Sequence, residues 1–255
     1  MKAEKKKQKT DPESAAAPPP TETSTDGPLT LAIDIGGTGI KSAVLDAGHK
    51  PKSAFNKLPT PHPATPKAIL DTIAKLASQE GPFDRIACGF PGVIKHGVIL
   101  TAANLSPKCI GFHLENELAK RFGKSARVAN DAAVQGYAAV EGKGLELAIT
   151  LGTGVGSALF LNGKLVASLE LAHTPFRNNK SYEEVLGNKA LEKNGKKQWN
   201  KRLQEAIENW SNLFRYDYLY LGGGNSTHIT FKLPANVKIK PNKDGIYGGV
   251  LLWQD

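Results

Sequence analysis

LAIDIGGTGIKSAVLD, at residues 31–46, and LAITLGTGVGSALFLN, at residues 147–162, are two versions of one pattern in a chain of 255 residues. Each version alternates apolar residues, passes through a glycine-rich turn and returns along a second apolar stretch, which predicts a β-hairpin. The recurrence of the pattern indicates an internal duplication. Among the differences between the copies, Asp34 in the first becomes Thr150 in the second.

Helix and strand patterns follow each hairpin in turn. Strands are predicted at RIACGF, ARVAN and YLYL, each leading into a turn or a helix. Strands that alternate with helices predict an α/β architecture. Apolar residues recur at helical spacing at residues 66–80, 114–123, from 131 onward, 181–194 and 197–214.

The composition predicts a cytoplasmic protein without a membrane span. No apolar run approaches the roughly 18 residues that cross a bilayer. Residues 1–28 contain no large apolar residue beyond Met1, and the opening MKAEKKKQKTDPES lacks the apolar segment of a secretory signal. We therefore expect a disordered tail at 1–28. Two cysteines, Cys88 and Cys109, are too few for a disulfide framework or a cysteine-rich zinc site.

The net charge of +9 is unevenly distributed. The first 28 residues are neutral, with five lysines against five acidic residues. Residues 177–202 carry eight basic residues against three acidic ones, and residues 232–244 carry four against one. Two interpretations remain open, a solvated helix face with a lysine-rich loop, or a surface that attracts a polyanion. No recognisable nucleic-acid-binding module accompanies these charges, so we expect no nucleic acid partner.

The two glycine-rich turns, GGTG at 36–39 and GTGVG at 152–156, have the composition of an anion-binding cradle. Glycine allows backbone N–H groups to approach a ligand closely, and consecutive inward amides bind phosphate. The hydroxyls of Thr38 and Thr153 would add donors. The alternative is that both are simply tight turns. Asp34 precedes the first turn, and a carboxylate beside phosphate requires a cation such as Mg²⁺ between them.

An ordered set of motifs resembles the ROK family of sugar kinases. The set is DIGGTGIK (34–41), the pair Asn130-Asp131 at a strand-to-helix junction, LGTGVGSA (151–158), ELAH (170–173) and LGGG (221–224). The resemblance implies a duplicated actin-like ATPase fold, also called ribonuclease H-like, with two lobes and a cleft between them. We predict lobes at 29–128 and 129–255. Within the family, TAANLSPKCIGFHL (101–114) is most similar to the polyphosphate glucokinases.

The resemblance implies a role for each motif. Asp131 would be the general base that accepts a proton from a sugar hydroxyl, although an N-capping role for Asp131 remains open. Sugar-binding residues would be Asn104, Asn130, Glu170, His173 and Glu183, with Glu184 as the competitor of Glu183. Asp34 would hold Mg²⁺. Residues at the phosphoryl donor would be Asp34, Gly36, Gly37, Thr38, Gly39, Lys41, Gly152, Thr153, Gly154, Gly156, Gly222, Gly223 and Gly224.

Several positions depart from the family pattern. Ala172 stands where many members have glycine, and Thr174-Pro175-Phe176 replaces the usual continuation, which puts the geometry of the sugar loop in question. Cys109 stands where the polyphosphate enzymes commonly have tryptophan. The cysteine-rich zinc motif of many other members is absent, so we predict no structural zinc.

The implied function is transfer of a phosphoryl group from polyphosphate to the 6-hydroxyl of glucose, with ATP as an alternative donor. Basic residues at 189–201 and 232–243 would then hold the rest of a polyphosphate chain. A strictly ATP-dependent kinase for glucose or mannose is the first alternative. A non-catalytic sugar sensor is the second, but residues 1–28 are too short and polar for a DNA-binding domain. Family members are often dimers, so a homodimer is expected.

Overall fold

Two five-stranded sheets with the same strand order form the centre of the molecule. The structure is a computed structural model that describes residues 27–102, 105–240 and 242–254. The first sheet has the order β3-β2-β1-β4-β7, in which β1 to β3 are antiparallel and β4 and β7 run parallel to β1. Its strands are β1 (Thr30–Ile35), β2 (Gly39–Leu45), β3 (Asn56–Pro59), β4 (Arg85–Phe90) and β7 (Ser125–Asn130), and a small hairpin of β5 (Ile94–Lys95) and β6 (Val98–Ile99) lies between the last two.

The second sheet repeats this arrangement with the order β10-β9-β8-β13-β14. Here β8 to β10 are antiparallel, and β13 and β14 run parallel to β8. The duplication therefore extends from the hairpins to both complete sheets. The strands are β8 (Leu145–Leu151), β9 (Val155–Leu161), β10 (Lys164–Leu169), β13 (Tyr218–Gly222) and β14 (Val237–Ile239), with a separate hairpin of β11 (Pro175–Arg177) and β12 (Lys180–Ser181).

The helices agree with the predicted positions but differ in their ends. Gly123 ends the second helix in the left-handed conformation, with φ of 62°, as predicted. In the second half, a break lies at Gly187, because a capping box between Ser181 and Glu184 starts a separate short helix. The break predicted near residue 195 is a kink at Gly195, where φ is 73°. The helices are α1 (Pro66–Ala77), α2 (Leu114–Phe122), α3 (Asp131–Ala139), α4 (Tyr182–Leu186), α5 (Asn188–Phe214) and α6 (Gly248–Leu251).

The alternation along β1 decides what covers each face of the first sheet. Leu31, Ile33 and Ile35 point to one face and pack in a core with residues of α1 and α2. Ala32 points to the other face, where the side chains are small. Successive residues of a strand face opposite sides, so Asp34 lies on the face of Ala32 and away from the α1–α2 core.

Residues 245–253, here called the closing segment, cover the second face of the first sheet. Ile246 and Val250 pack against Ala32 and Ala43. The ring of Trp253 lies between two guanidinium groups, with Arg85 at 5.0 Å and Arg127 at 4.9 Å from its centroid. The end of the chain thus returns from the second sheet to the first. The division of the lobes at residue 128 stays a prediction.

No helix within the described ranges is both long enough and apolar enough to cross a membrane.

Candidate active site

A cavity of about 570 Å³ lies between the two halves of the chain. The first half contributes Gly36, Gly37, Pro91, Gly92 and Thr101. Both glycine-rich turns therefore face one cavity. From residue 130 onward the lining residues are Asn130, Asp131, Gln135, Thr150, Gly152, Thr153, Gly154, Val155, Gly156, Ser157, Leu169, Glu170, Ala172, His173, Glu183, Glu184, Gly187, Lys189, Gly223 and Gly224.

Asp131 is the first residue of α3, directly after the end of β7. The N-cap is Asn130, whose Oδ1 accepts from the N–H of Ala132 at 2.9 Å and whose Nδ2 donates to the carbonyl of Gly92 at 3.1 Å. Oδ1 of Asp131 also accepts from Ala132, at 2.8 Å. Asn130 is thus the residue that caps α3, and the cap does not depend on Asp131. Asn130 also connects α3 to the loop after β4.

The environment of Asp131 raises the pKa of its carboxyl group to about 6. Burial is the largest cause, and the negative charge of Asp34 is the second. Hydrogen bonds from the backbone at Ala132 partly offset these effects, and Glu170 adds a smaller repulsion. A carboxylate with such a pKa is ionised at neutral pH and is still a stronger base than an ordinary aspartate, as general base catalysis requires.

Both glycine-rich turns are stabilised by hydrogen bonds within the turn and by hydrogen bonds from neighbouring residues. In the first, Gly36 N donates to Gly39 O at 2.9 Å, and the hydroxyl of Thr60 donates to Gly36 O. In the second, Gly152 N donates to Gly154 O at 3.0 Å, and Asn225 Nδ2 donates to Gly152 O at 3.1 Å. The amides of Gly36 and Gly152 are therefore occupied, and any anion would bind the other amides of the turns. Neither Thr60 nor Asn225 belongs to a motif that was recognised in the sequence.

Asp34 and Lys41 form an ion pair beside the first turn. They are directly opposite in the register of β1 and β2, and Lys41 Nζ lies 3.3 Å from Asp34 Oδ2. The side chain of Lys57 lies over Gly39, so a second ammonium group flanks the turn. Among the residues predicted at the donor, Asp34, Thr38, Gly39 and Lys41 lie outside the cavity lining. Their role at the donor stays a prediction.

The arrangement of carboxylates bears on metal binding. Within the described ranges, no group of three or more His, Cys, Asp and Glu side chains is placed to hold a metal ion. Mg²⁺ differs from zinc in needing only one or two protein carboxylates, since phosphate oxygens and water complete its coordination. Asp34 has a partly exposed side chain, and its negative charge raises the pKa of Asp131 although Lys41 lies beside it. This donor set fits Mg²⁺ bound together with phosphate.

The predicted sugar-binding carboxylates meet at the cavity. Glu170 Oε2 lies 3.5 Å from His173 Nε2, and burial raises the pKa of Glu170, partly offset by His173. Glu183 Oε2 accepts from the N–H of Val155 at 3.4 Å. Glu184 also borders the cavity, but its carboxylate accepts from Ser181 N at 2.8 Å in the capping box. Glu183 is therefore the carboxylate of the two that contacts the second turn.

Two other predictions concern the sugar site, namely the contact of Asn104 and the geometry of the sugar loop. Asn104 lies outside the described residues, so its predicted sugar contact stays a prediction. Leu171–His173 form a short 3₁₀ helix, in which Ala172 is buried. The hydroxyl of Thr174 donates to Leu171 O at 2.8 Å, and Phe176 stacks on Tyr182 with ring centroids 4.3 Å apart. The residues that depart from the family pattern thus form an ordered turn.

The third glycine run follows β13. Gly222 is opposite Thr150 in the register of β13 and β8 and lines a second, smaller cavity of about 60 Å³. Gly223 has φ of 82°, and a Cβ there would overlap the backbone of Leu151. Only glycine fits this position, so the run brings backbone close to the large cavity. Two residues line both cavities: Gln135, which belongs to no predicted motif, and Thr150, the counterpart of Asp34 in the second copy of the repeat.

Gly156 determines the distance between the second turn and α3. A Cβ at Gly156 would lie 2.5 Å from Thr150 Oγ1 and 2.6 Å from the Cβ of Ala132, the residue after Asp131. We expect Gly156→Ala to displace the start of α3 and to lower kcat about 10- to 100-fold, because displacements near 1 Å at a reacting group have effects of this size.

Gly152→Ala is the matched control for Gly156→Ala. A Cβ at Gly152 has no neighbour within 4 Å, and the substitution is otherwise identical. Steady-state kinetics and melting temperatures of both variants would check the expectation. Equal kcat values for the two variants would contradict a positioning role for Gly156.

Comparison with known proteins identifies the family of the chain. The sequence model described as "ROK family" matches residues 30–207. The chain is 37% identical over 212 residues to the polyphosphate glucokinase of Mycobacterium tuberculosis (strain ATCC 25618 / H37Rv), covering 77% of each protein. It is 32% identical over 222 residues to that of Mycobacterium leprae (strain TN), covering 82% of this chain and 68% of the relative.

Solved structures confirm the predicted fold. The inorganic polyphosphate/ATP-glucomannokinase from Arthrobacter sp. strain KM superposes with a TM-score of 0.79 at 30% identity, over 89% of this chain and 98% of that one. A ROK family glucokinase from Streptomyces griseus, in complex with glucose and AMPPNP, superposes with a TM-score of 0.70 at 19% identity, over 88% and 98%. The chain belongs to the ROK family and has the duplicated, two-lobed actin-like fold.

Proposed function

We propose that the protein transfers a phosphoryl group from inorganic polyphosphate to the 6-hydroxyl of glucose, giving glucose 6-phosphate. One observation carries the proposal. The carboxylate of Asp131, whose pKa is raised to about 6, lies in a cavity that both glycine-rich turns line. A general base and two facing sets of backbone amides are the parts that phosphoryl transfer to an alcohol requires.

Asp131 would act on the alcohol. Its carboxylate accepts the proton of the sugar 6-hydroxyl as the oxygen forms a bond to the terminal phosphorus of the donor. The bridging P–O bond breaks, the donor leaves one phosphate shorter, and the proton passes from Asp131 to solvent. Free amides of the two turns stabilise the negative charge of the phosphoryl group. Asp34 would hold Mg²⁺, which would supply positive charge beside the phosphates.

The sugar would be held from the second half of the chain. Glu170, His173 and Glu183 line the cavity with Asn130, and their carboxylate, imidazole and amide groups make directional hydrogen bonds to hydroxyl groups. Such a set suits a polyhydroxylated ring better than an apolar or a charged substrate. The predicted contact of Asn104 would complete it.

The relatives favour polyphosphate as the donor. The mycobacterial relatives are named polyphosphate glucokinases, and the net charge of +9 suits a polyanionic substrate. The Arthrobacter protein is described as using polyphosphate or ATP and as a glucomannokinase. ATP as donor and mannose as acceptor are therefore the second candidates.

The test is a direct assay of the purified protein with glucose, Mg²⁺ and either polyphosphate or ATP, with glucose 6-phosphate measured. We expect the larger kcat/KM with polyphosphate, and faster turnover of glucose than of mannose. Turnover with ATP alone would instead identify a strictly ATP-dependent hexokinase. Glucose binding without turnover of either donor would identify a sugar sensor and contradict the proposal.

A further inference from the structure

The two basic regions of the sequence differ in the partners of their lysines. Lys238 and Lys240, here called the β14 lysines, share one carboxylate. Nζ of Lys238 lies 2.9 Å from Glu141 Oε1, and Nζ of Lys240 lies 3.5 Å from the same atom. Both ammonium groups also lie within 6 Å of the ring centroid of Tyr220. The hydrogen bond from Lys238 is the largest cause of a lowered pKa of Glu141. The charge of the β14 lysines is thus compensated in part within the protein, whereas a single carboxylate cannot neutralise both.

The lysines of α5 lie in a different environment. All five side chains belong to exposed residues, and no ion pair joins any of them to a carboxylate in the described part of the chain. Two neighbouring carboxylates have other partners. Glu192 accepts a hydrogen bond from Asn188 Nδ2 at 2.6 Å, and Glu205 forms an ion pair with Arg177. We call this set the α5 lysines, and its members are Lys189, Lys193, Lys196, Lys197 and Lys201.

The α5 lysines are continuous with the large cavity. Lys189 lines the cavity, and Lys193 follows one helical turn later. Beyond the kink at Gly195, Lys197 and Lys201 are again one turn apart. Within each of the two helical segments that Gly195 separates, the lysines one turn apart lie about 6 Å from each other along the axis, at 1.5 Å per residue. Positive charge without an ion-pair partner in the described residues therefore leads from the cavity along α5. Of the β14 lysines, Lys240 borders the smaller cavity and Lys238 borders neither.

We propose that the α5 lysines bind the part of a polyphosphate chain that extends beyond the cavity, and that the β14 lysines do not. The proposal rests on the proposed function, because it assumes a polyphosphate donor. A donor of three phosphates ends at or near the cavity and gains little from α5. A long chain continues along the helix and exchanges its counterions for the lysine ammonium groups.

The experiment compares two triple variants with the same change in net charge. The test variant is Lys193→Gln with Lys197→Gln and Lys201→Gln. The control removes three exposed lysines at α1 and α2, with Lys75→Gln, Lys120→Gln and Lys124→Gln. We measure the KM for long-chain polyphosphate and for tripolyphosphate, and we measure binding of long-chain polyphosphate to each protein by calorimetry.

For the test variant we expect the KM and the Kd for long-chain polyphosphate to rise about 10-fold, which corresponds to 1.4 kcal/mol. The KM for tripolyphosphate should change less than about 2-fold, and the control should resemble wild type. In wild type, the logarithm of the long-chain KM should rise linearly with the logarithm of salt concentration, and this slope should fall by about one per contacting lysine removed.

Three outcomes would overturn the proposal. An unchanged long-chain KM in the test variant would exclude the α5 path. An equal rise in the control would show that only overall charge matters. A third variant, Lys238→Gln with Lys240→Gln, is measured in the same way, and a rise confined to it would place the chain at β14. Each of these requires turnover of polyphosphate by wild type, so failure of the proposed function itself is recognised separately by its absence.

Discussion

Replacing Asp131 by asparagine is expected to lower the rate of glucose phosphorylation and, in the same variant, to raise the melting temperature. The amide retains the size of the carboxylate but cannot accept the proton of the sugar hydroxyl. General base catalysis contributes about 10²- to 10⁴-fold, so we expect kcat to fall by that factor. The glucose KM should change much less, because the other sugar-binding groups remain.

The expected stabilisation follows from the raised pKa of Asp131, which is about 6 in the folded protein and 3.8 in the unfolded chain. The folded state therefore binds the proton of the Asp131 carboxyl group more strongly than the unfolded chain does. The contribution of the protonated carboxyl to stability is complete below pH ~3.8 and is lost as the pH rises through ~6. Asparagine carries no charge at any pH, so this loss does not occur. After a discount for the partial exposure of Asp131, we expect a gain of about 1–2 kcal/mol at pH 8.

Thermal unfolding and initial rates at several pH values would check both effects. At pH 8 the gain corresponds to a few degrees in Tm, and at pH 4 the two proteins should melt together. The wild-type rate should rise with an apparent pKa of about 6. Glu184→Gln serves as a control, because that carboxylate belongs to the capping box of α4. Retained activity of Asp131→Asn would show that another group is the base.

Gly248→Ala is expected to destabilise the protein strongly. Gly248 begins α6 in the closing segment, where a Cβ would overlap the carbonyl oxygen of Val134 and lie 3.1 Å from Ala138 N. Both neighbours are backbone atoms of α3, which cannot move independently of Asp131 at the start of that helix. We expect the free energy of unfolding to fall by about 2–3 kcal/mol and the Tm by about 5–10 °C.

Two other glycines calibrate this result. Gly81→Ala introduces a Cβ with no neighbour within 4 Å, and its Tm should remain close to that of wild type. Gly249→Ala places a Cβ 3.2 Å from that of Ala87 and 3.4 Å from that of Ala32, so an intermediate loss is expected. Should Gly248→Ala fail to fold, Gly249→Ala still tests the packing of the closing segment against the first sheet. Equal melting temperatures for all three would contradict tight packing of the closing segment.

Local patterns in the sequence were sufficient for much of the fold. Glycine between two alternating apolar runs predicted both hairpins, and the helix signals at Pro66 and Gly123 lie where α1 begins and α2 ends. The repeat correctly indicated two sheets of one design. The short edge strands β3 and β14 were not predicted, because pairing with a neighbour defines them and their own sequences alternate weakly.

The candidate site was predictable in part. The pair Asn130-Asp131 was identified from sequence, but only the structure shows that Asn130 caps α3. Glu183 and Glu184 compete for the same role by sequence. The structure distinguishes them, because Glu184 belongs to the capping box of α4 and Glu183 does not. Gln135 belongs to no motif, and Thr150 was identified only as the counterpart of Asp34, because the place of both at the cavity depends on how α3 lies on β8 and β9. Contacts between distant parts of the chain decide these positions, and periodicity carries no information about them.

The closing segment also has a consequence for synthesis on the ribosome. Ala32 and Ala43 are translated more than 200 residues before their partners Ile246 and Val250. The nascent amino-terminal half therefore carries an uncovered apolar surface until the closing segment has been translated. Chaperones that bind such surfaces would engage this half first, and a chain truncated near residue 240 should be recovered mainly as insoluble material.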